Sequence, residues 1–144
     1  MPRFLVMVKG TPADEAGGPP PKEEMTKMFD EMTTFNERLA DAGVMLAGEG
    51  LQQTAQGKKV RFEGGKTTVI DGPFTEAKEF VAGYWLLQVK SMDEAVEWIR
   101  QAPVFDGGAE VEIRQIAEPD ELGEAFTPEL QAREQALAAK INQR

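Results

Sequence analysis

The sequence contains no cysteine and no histidine. Without thiols there is no disulfide, no thiolate nucleophile and no zinc–thiolate centre, and the chain suits a reducing compartment. Without imidazole the usual acid–base group near neutral pH is missing, and Ser–His and Cys–His pairs are excluded. Positive charge is scarce as well: 16 Lys and Arg stand against 25 Asp and Glu, a net charge of −9. Such a chain repels phosphate backbones and anionic lipid, so neither nucleic acid nor a membrane surface is an expected partner. No apolar run approaches the length of a membrane span. The opening MPRFLVMVKG carries an apolar run too short for a signal peptide. The expectation is a soluble, cytoplasmic protein with a single domain over 1–144. At this length one core buries roughly 70% of the surface the unfolded chain exposes, so no staple is required.

What is present is mostly pattern. RFLVMVK (3–9) reads as a strand that is apolar on both faces, with Phe4, Val6 and Val8 on one and Leu5 and Met7 on the other, where Lys9 ends the row. GTPADEAGGPPP (10–21) reads as a loop. Met25, Met28, Phe29, Met32, Phe35 and Leu39 recur at three- and four-residue steps, which predicts a helix whose apolar face packs in the core, with Pro21 in its first turn and Gly43 at its C-terminal cap. VMLAGEGLQQ (44–53) reads as a second strand with a bulge or a close approach at its glycines. KKVRFEGGKTTVID (58–71) reads as a hairpin turning at Gly64-Gly65. FVAGYWLLQV (80–89) is the clearest strand. SMDEAVEWIRQAP (91–103) is a helix with Ser91 and Glu94 as a capping box, and AEVEIRQI (109–116) alternates as a strand. TPELQAREQALAAKINQR (127–144) is a helix capped by Thr127, with a thin apolar stripe of Leu130, Leu137 and Ile141.

The order β-α-β, hairpin, β-α-β, helix predicts an α+β fold: a ferredoxin-like βαββαβ unit with an inserted β-hairpin and a C-terminal helix. Both core helices then cover one sheet face. The other face carries Leu5 and Met7 and has no third helix to cover it, so a homodimer pairing sheet to sheet is expected.

Polar groups converge on that same face. Val81, Trp85, Leu87 and Val89 suit the helix side, leaving Tyr84 and Gln88 opposite; Val111 and Ile113 suit the helix side, leaving Glu112 and Arg114. Lys9, Tyr84, Gln88, Glu112 and Arg114 thus form a candidate binding set in an apolar setting. The same residues could equally be a charged network sealing a dimer interface. If Gly64-Gly65 is a two-residue turn, Lys58 lies opposite Asp71 and beside valines. An aspartate near apolar surface can serve as a general base, whereas an aspartate before Gly-Pro is also ordinary turn chemistry. The acidic pair Asp14-Glu15 is too little to predict a metal, and no cofactor is expected.

DGPFTEAKE (71–79), GYWLLQVKSMDEAVEW (83–98) and EVEIRQI (110–116), with RFLVMVK and AGVMLAGEGL (42–51), resemble the DGPF-domain proteins, a branch of the YCII-related family. The resemblance covers about residues 3–116, a core followed by a helical tail over 117–144, of which GEAFTPEL (123–130) is similar to a tail seen in one subgroup. It implies a dimeric α+β barrel with a pocket near the sheet interface. Asp71 matches the motif aspartate and Arg114 the arginine of the last strand; Gln53 stands where the family frequently has proline. Relatives include enzymes acting on small cyclic acids through a His–Asp pair, a mechanism that a chain without histidine cannot share. Family members often accompany extracytoplasmic-function sigma factors. Two functions are therefore expected as alternatives. One is a lyase or isomerase acting on a small organic acid, with Asp71 as proton carrier and Lys9 or Arg114 as anion holder. The other is a non-catalytic ligand-binding or regulatory module linked to a sigma factor.

Overall fold

The structure is a computed structural model that describes residues 1–103 and 109–142. Four strands form the main sheet: β1 (Arg3–Gly10), β2 (Met45–Gly50), β5 (Phe80–Gln88) and β6 (Val111–Gln115), in the order β2-β5-β1-β6. Every pairing is antiparallel. Between β2 and β5, the strands β3 (Lys58–Glu63) and β4 (Lys66–Asp71) make a separate two-stranded sheet. The helices are α1 (Pro12–Ala16), α2 (Lys22–Asp41), α3 (Met92–Ile99) and α4 (Pro128–Asn142). This is the predicted ferredoxin-like α+β arrangement, with its inserted hairpin and its C-terminal helix.

The core forms where the sequence pattern places it. Phe4, Val6, Trp85 and Leu87 from the sheet, with Val89 just after β5, are buried against Phe35 and Leu39 of α2 and Ala95 of α3. All buried hydrophobic side chains among the described residues belong to this one cluster on the helix side of the sheet. The Trp85 indole is fixed twice: its N–H donates to Asn36 Oδ1 at 2.8 Å, and the Phe35 ring meets it edge-on at 5.7 Å. The end of α2 follows from Gly43, whose φ of 74° suits glycine. Its N–H donates to the Ala40 carbonyl and that of Val44 to the Leu39 carbonyl, a Schellman closure whose apolar pair, Leu39 and Val44, is itself core. Thr127 caps α4 through Oγ1, as predicted.

Several expectations change. The segment 10–21 is not all loop: Thr11 and Asp14 form a reciprocal capping box at the start of α1. A Pro-Ala-Asp-Glu stretch behind a threonine N-cap is a helix start, even among glycines and prolines. At α3 only half of the expected box exists. Ser91 Oγ accepts the Glu94 amide, but the Glu94 carboxylate takes the N–H of Lys90. β2 stops at Gly50, and 54–56 form a single 3-10 turn. The helix read over 127–144 is described to Asn142; residues 143–144 lie outside the described residues. The α2 stripe is core only in its second half: Phe35 and Leu39 are buried, but Met28 and Phe29 are 54% and 64% exposed.

Candidate functional site

The outward face of the sheet is built in rungs. Met7 lies opposite both Tyr84 and Glu112, and Leu5 lies opposite both Leu86 and Arg114. Arg3 and Gln88 form the next rung. Cross-strand partners share a face, so the expected set of Tyr84, Gln88, Glu112 and Arg114 does lie on one surface with Leu5, Met7 and Leu86 between them. Lys9 joins it at one end. A register shift after Val8 leaves Ala82 as the extra residue of β5, and Lys9 then pairs with Val81. Val81 therefore leaves the helix side, where its spacing from Trp85 had assigned it.

Lys9 holds this end of the face together. Its Nζ lies 3.2 Å from Glu112 Oε1 and 3.4 Å from Glu79 Oε1, and its side chain is 17% exposed. Chiefly the Glu112 carboxylate, with Glu79 behind it, raises the Lys9 pKa above the ordinary lysine value. The other candidates are less engaged. Gln88 Nε2 donates to the Met1 carbonyl at 2.9 Å. Arg114 is exposed and has no ion-pair partner among the described residues. Across the edge of the sheet, Arg3 grips Glu118 with two hydrogen bonds of 2.9 and 3.2 Å. The guanidinium holds the Glu118 carboxyl below its ordinary value, and the pair clips the chain after β6 to the start of β1.

Asp71 is placed elsewhere. The hairpin register matches the one read from the turn: Lys58 opposite Asp71, Val60 opposite Val69, Phe62 opposite Thr67. Gly64 and Gly65 take φ of 58° and 76°, the left-handed pair that a two-residue turn of this hand requires. The Asp71 carboxylate accepts a hydrogen bond from Lys58 Nζ, and both side chains are well exposed. The residues that follow anchor the hairpin. Gly72 donates its N–H to the Gly57 carbonyl at 2.9 Å, and the Phe74 N–H reaches Thr54 Oγ1 at 3.3 Å. Thr54 in turn gives its N–H and its hydroxyl to the two oxygens of Glu15, at 2.7 and 2.6 Å. Lys59 Nζ sits 4.4 Å above the Phe74 ring. The acidic pair near the N-terminus thus has local duties: Asp14 caps α1, and Glu15 ties α1 to the hairpin root.

Among the described residues two clefts open beside α2, and the sequence did not reveal them. The smaller, about 270 Å³, lies between α2 and the sheet and is lined by Val8, Met32, Asn36, Gly48 and Trp85 among others. The larger, about 730 Å³, is bordered by Asp14, Glu24, Met28, Glu31 and Lys9 among others. Neither is lined by Asp71 or Arg114. A readable signal did exist for the larger one: Glu24, Met28 and Glu31 recur at i, i+4 and i+7, one helix face on which a methionine stands between two carboxylates. No helix among the described residues is long and apolar enough to cross a membrane.

The sequence profile of the YCII-related domain matches residues 2–118. An uncharacterized protein of Rhizobium meliloti (strain 1021) is 31% identical over 104 residues, which span 70% of this chain and 84% of that protein. With a ferredoxin-like sheet, a matching profile over most of its length and this relative, the chain belongs to the YCII-related family.

Proposed function

We propose that the protein acts as a homodimer that binds a small organic acid between two apposed sheets. The observation that supports this reading is the outward sheet face, where Leu5, Met7 and Leu86 supply half-buried apolar surface and Lys9 and Arg114 bring two cations to it. Stacked sheets lie about 10 Å apart, which leaves room for side chains or a flat small molecule between them. A ligand carboxylate would compete with Glu112 and Glu79 for the Lys9 ammonium and would meet Arg114 as an unengaged partner. The reading is one of binding. A lyase or isomerase step through Asp71 would need the ligand carried to the exposed root of the hairpin, where Lys58 already holds that carboxylate.

The test is a thermal-melt titration with small mono- and dicarboxylic acids, paired with sedimentation velocity. A binding acid raises the melting temperature progressively with its concentration, by mass action on the native state, and Arg114→Gln removes the rise without unfolding the protein. A chain that sediments as a monomer at micromolar concentration, or a melting temperature that no acid shifts, defeats the proposal.

A further inference from the structure

The hairpin β3–β4 presents an unusual surface for a segment that no other strand joins among the described residues. Every residue of β3 is exposed, as is every residue of β4 except Ile70, which is half-buried. Its register gathers Val60, Phe62 and Val69 on one face, and they are 53%, 79% and 59% exposed. An isolated two-stranded hairpin is marginal in water, and alternation of this kind is the mark of a face made for burial. The root is rigid, held by Glu15, Thr54 and Gly72. Beyond that root, six residues per strand reach about 20 Å from the body.

The charge of the arm points to its occupant. Residues 58–71 carry Lys58, Lys59, Arg61 and Lys66 against Glu63 and Asp71, a net +2, within a chain of net −9. The rest of each chain therefore carries −11, and the nearest complement to a basic, apolar arm is a second copy of its own acidic body. That body offers a matching strip. Met28, 54% exposed, stands between Glu24 and Glu31 at the mouth of the larger cleft. Gln53 and Glu15, at the root of the arm, border the same cleft, so in a two-fold pair each arm starts beside the groove that receives the other.

We infer that the β3–β4 hairpin is an exchanged arm: Phe62 and its apolar neighbours lie in the partner's cleft against Met28, and the net positive charge of the arm is drawn to a rim that carries Glu24 and Glu31. The inference rests on the homodimer of the proposed function and adds the arm to it. Each cleft is then closed by a residue of the other subunit.

The absence of native cysteine makes the test clean. A Phe62→Cys chain is mixed with a Met28→Cys chain under mild oxidation, and the covalent heterodimer is read on a non-reducing gel. A Leu137→Cys chain, also exposed, reports random collision. The expected result is linkage between positions 62 and 28 at least tenfold faster than between 62 and 137, and slowed by Arg61→Glu with Lys66→Glu. In sedimentation, Phe62→Asp weakens the dimer at least tenfold. A dimer whose 62–28 linkage is no faster than the collision control overturns the arm and leaves the sheet pairing standing. A monomeric wild-type chain overturns both.

Discussion

The carbonyl oxygen of Thr54 occupies the space in which residue 72 would carry a side chain: an ideal Cβ on Gly72 lies 1.7 Å from it. The segment before Pro73 is thus a packing contact between two backbones, and glycine is the only residue that permits it. Gly72→Ala is expected to cost about 3 kcal/mol or more, because backbone on both sides must move. Asp71→Asn changes an exposed ion pair and is expected to stay within about 0.5 kcal/mol. Urea unfolding of the two variants checks the contrast. Equal losses would mean that the aspartate shares the structural burden.

Glu15 and Thr54 meet through two hydrogen bonds that anchor the root of the hairpin. Glu15→Gln keeps the shape but gives up the charge on both bonds and leaves at most one oxygen to accept. The expected loss is about 1–3 kcal/mol. The readout is amide hydrogen exchange, which should quicken in β3 and β4 before it changes in β1 or β5.

Asn36 offers the acceptor that satisfies the buried Trp85 indole. Asn36→Ala leaves that N–H unpaired beside the small cleft, for an expected loss of about 1–3 kcal/mol. A shift in the urea midpoint with an unchanged slope checks it.

The ion pairs of Arg3 and of Lys9 predict opposite pH limits. Arg3 lowers the Glu118 pKa, so this pair contributes fully above the ordinary glutamate value, and its contribution fades as the pH falls through the lowered one. Glu112 and Glu79 raise the Lys9 pKa, so that contribution is complete below the ordinary lysine value and fades as the pH climbs through the raised one. Arg3 and Glu118 are about a third exposed, which keeps their pair near 1 kcal/mol or less after solvent screening. Glu118→Gln is expected to lower stability by about that amount at neutral and alkaline pH with no change of slope there, and to flatten the acid side of the stability–pH curve.

Much of the architecture was legible because its causes are local. The hairpin register followed from Gly64-Gly65, since a two-residue turn leaves one pairing. The end of α2 followed from Gly43, and the start of α4 from Thr127-Pro128. The face bearing Tyr84, Glu112 and Arg114 followed from strand alternation. The same reasoning failed where a local rule is interrupted. Val81 changed face because Ala82 is an extra residue in β5. The methionines of α2 carried the spacing of a core stripe, yet Met28 borders an open cleft while Met32 packs against the buried cluster.

The sequence by itself determined the order of the strands and of the three long helices, the hairpin turn, the caps at Gly43 and Thr127, and the two apolar faces of the sheet, because each depends on neighbours within a few residues. Only the tertiary structure decided that Glu15 reaches Thr54 across 39 residues, and that the α2 stripe divides into core and cleft wall. These are contacts between segments distant in the chain, and the spacing of residues along one segment holds no record of what another segment brings against it.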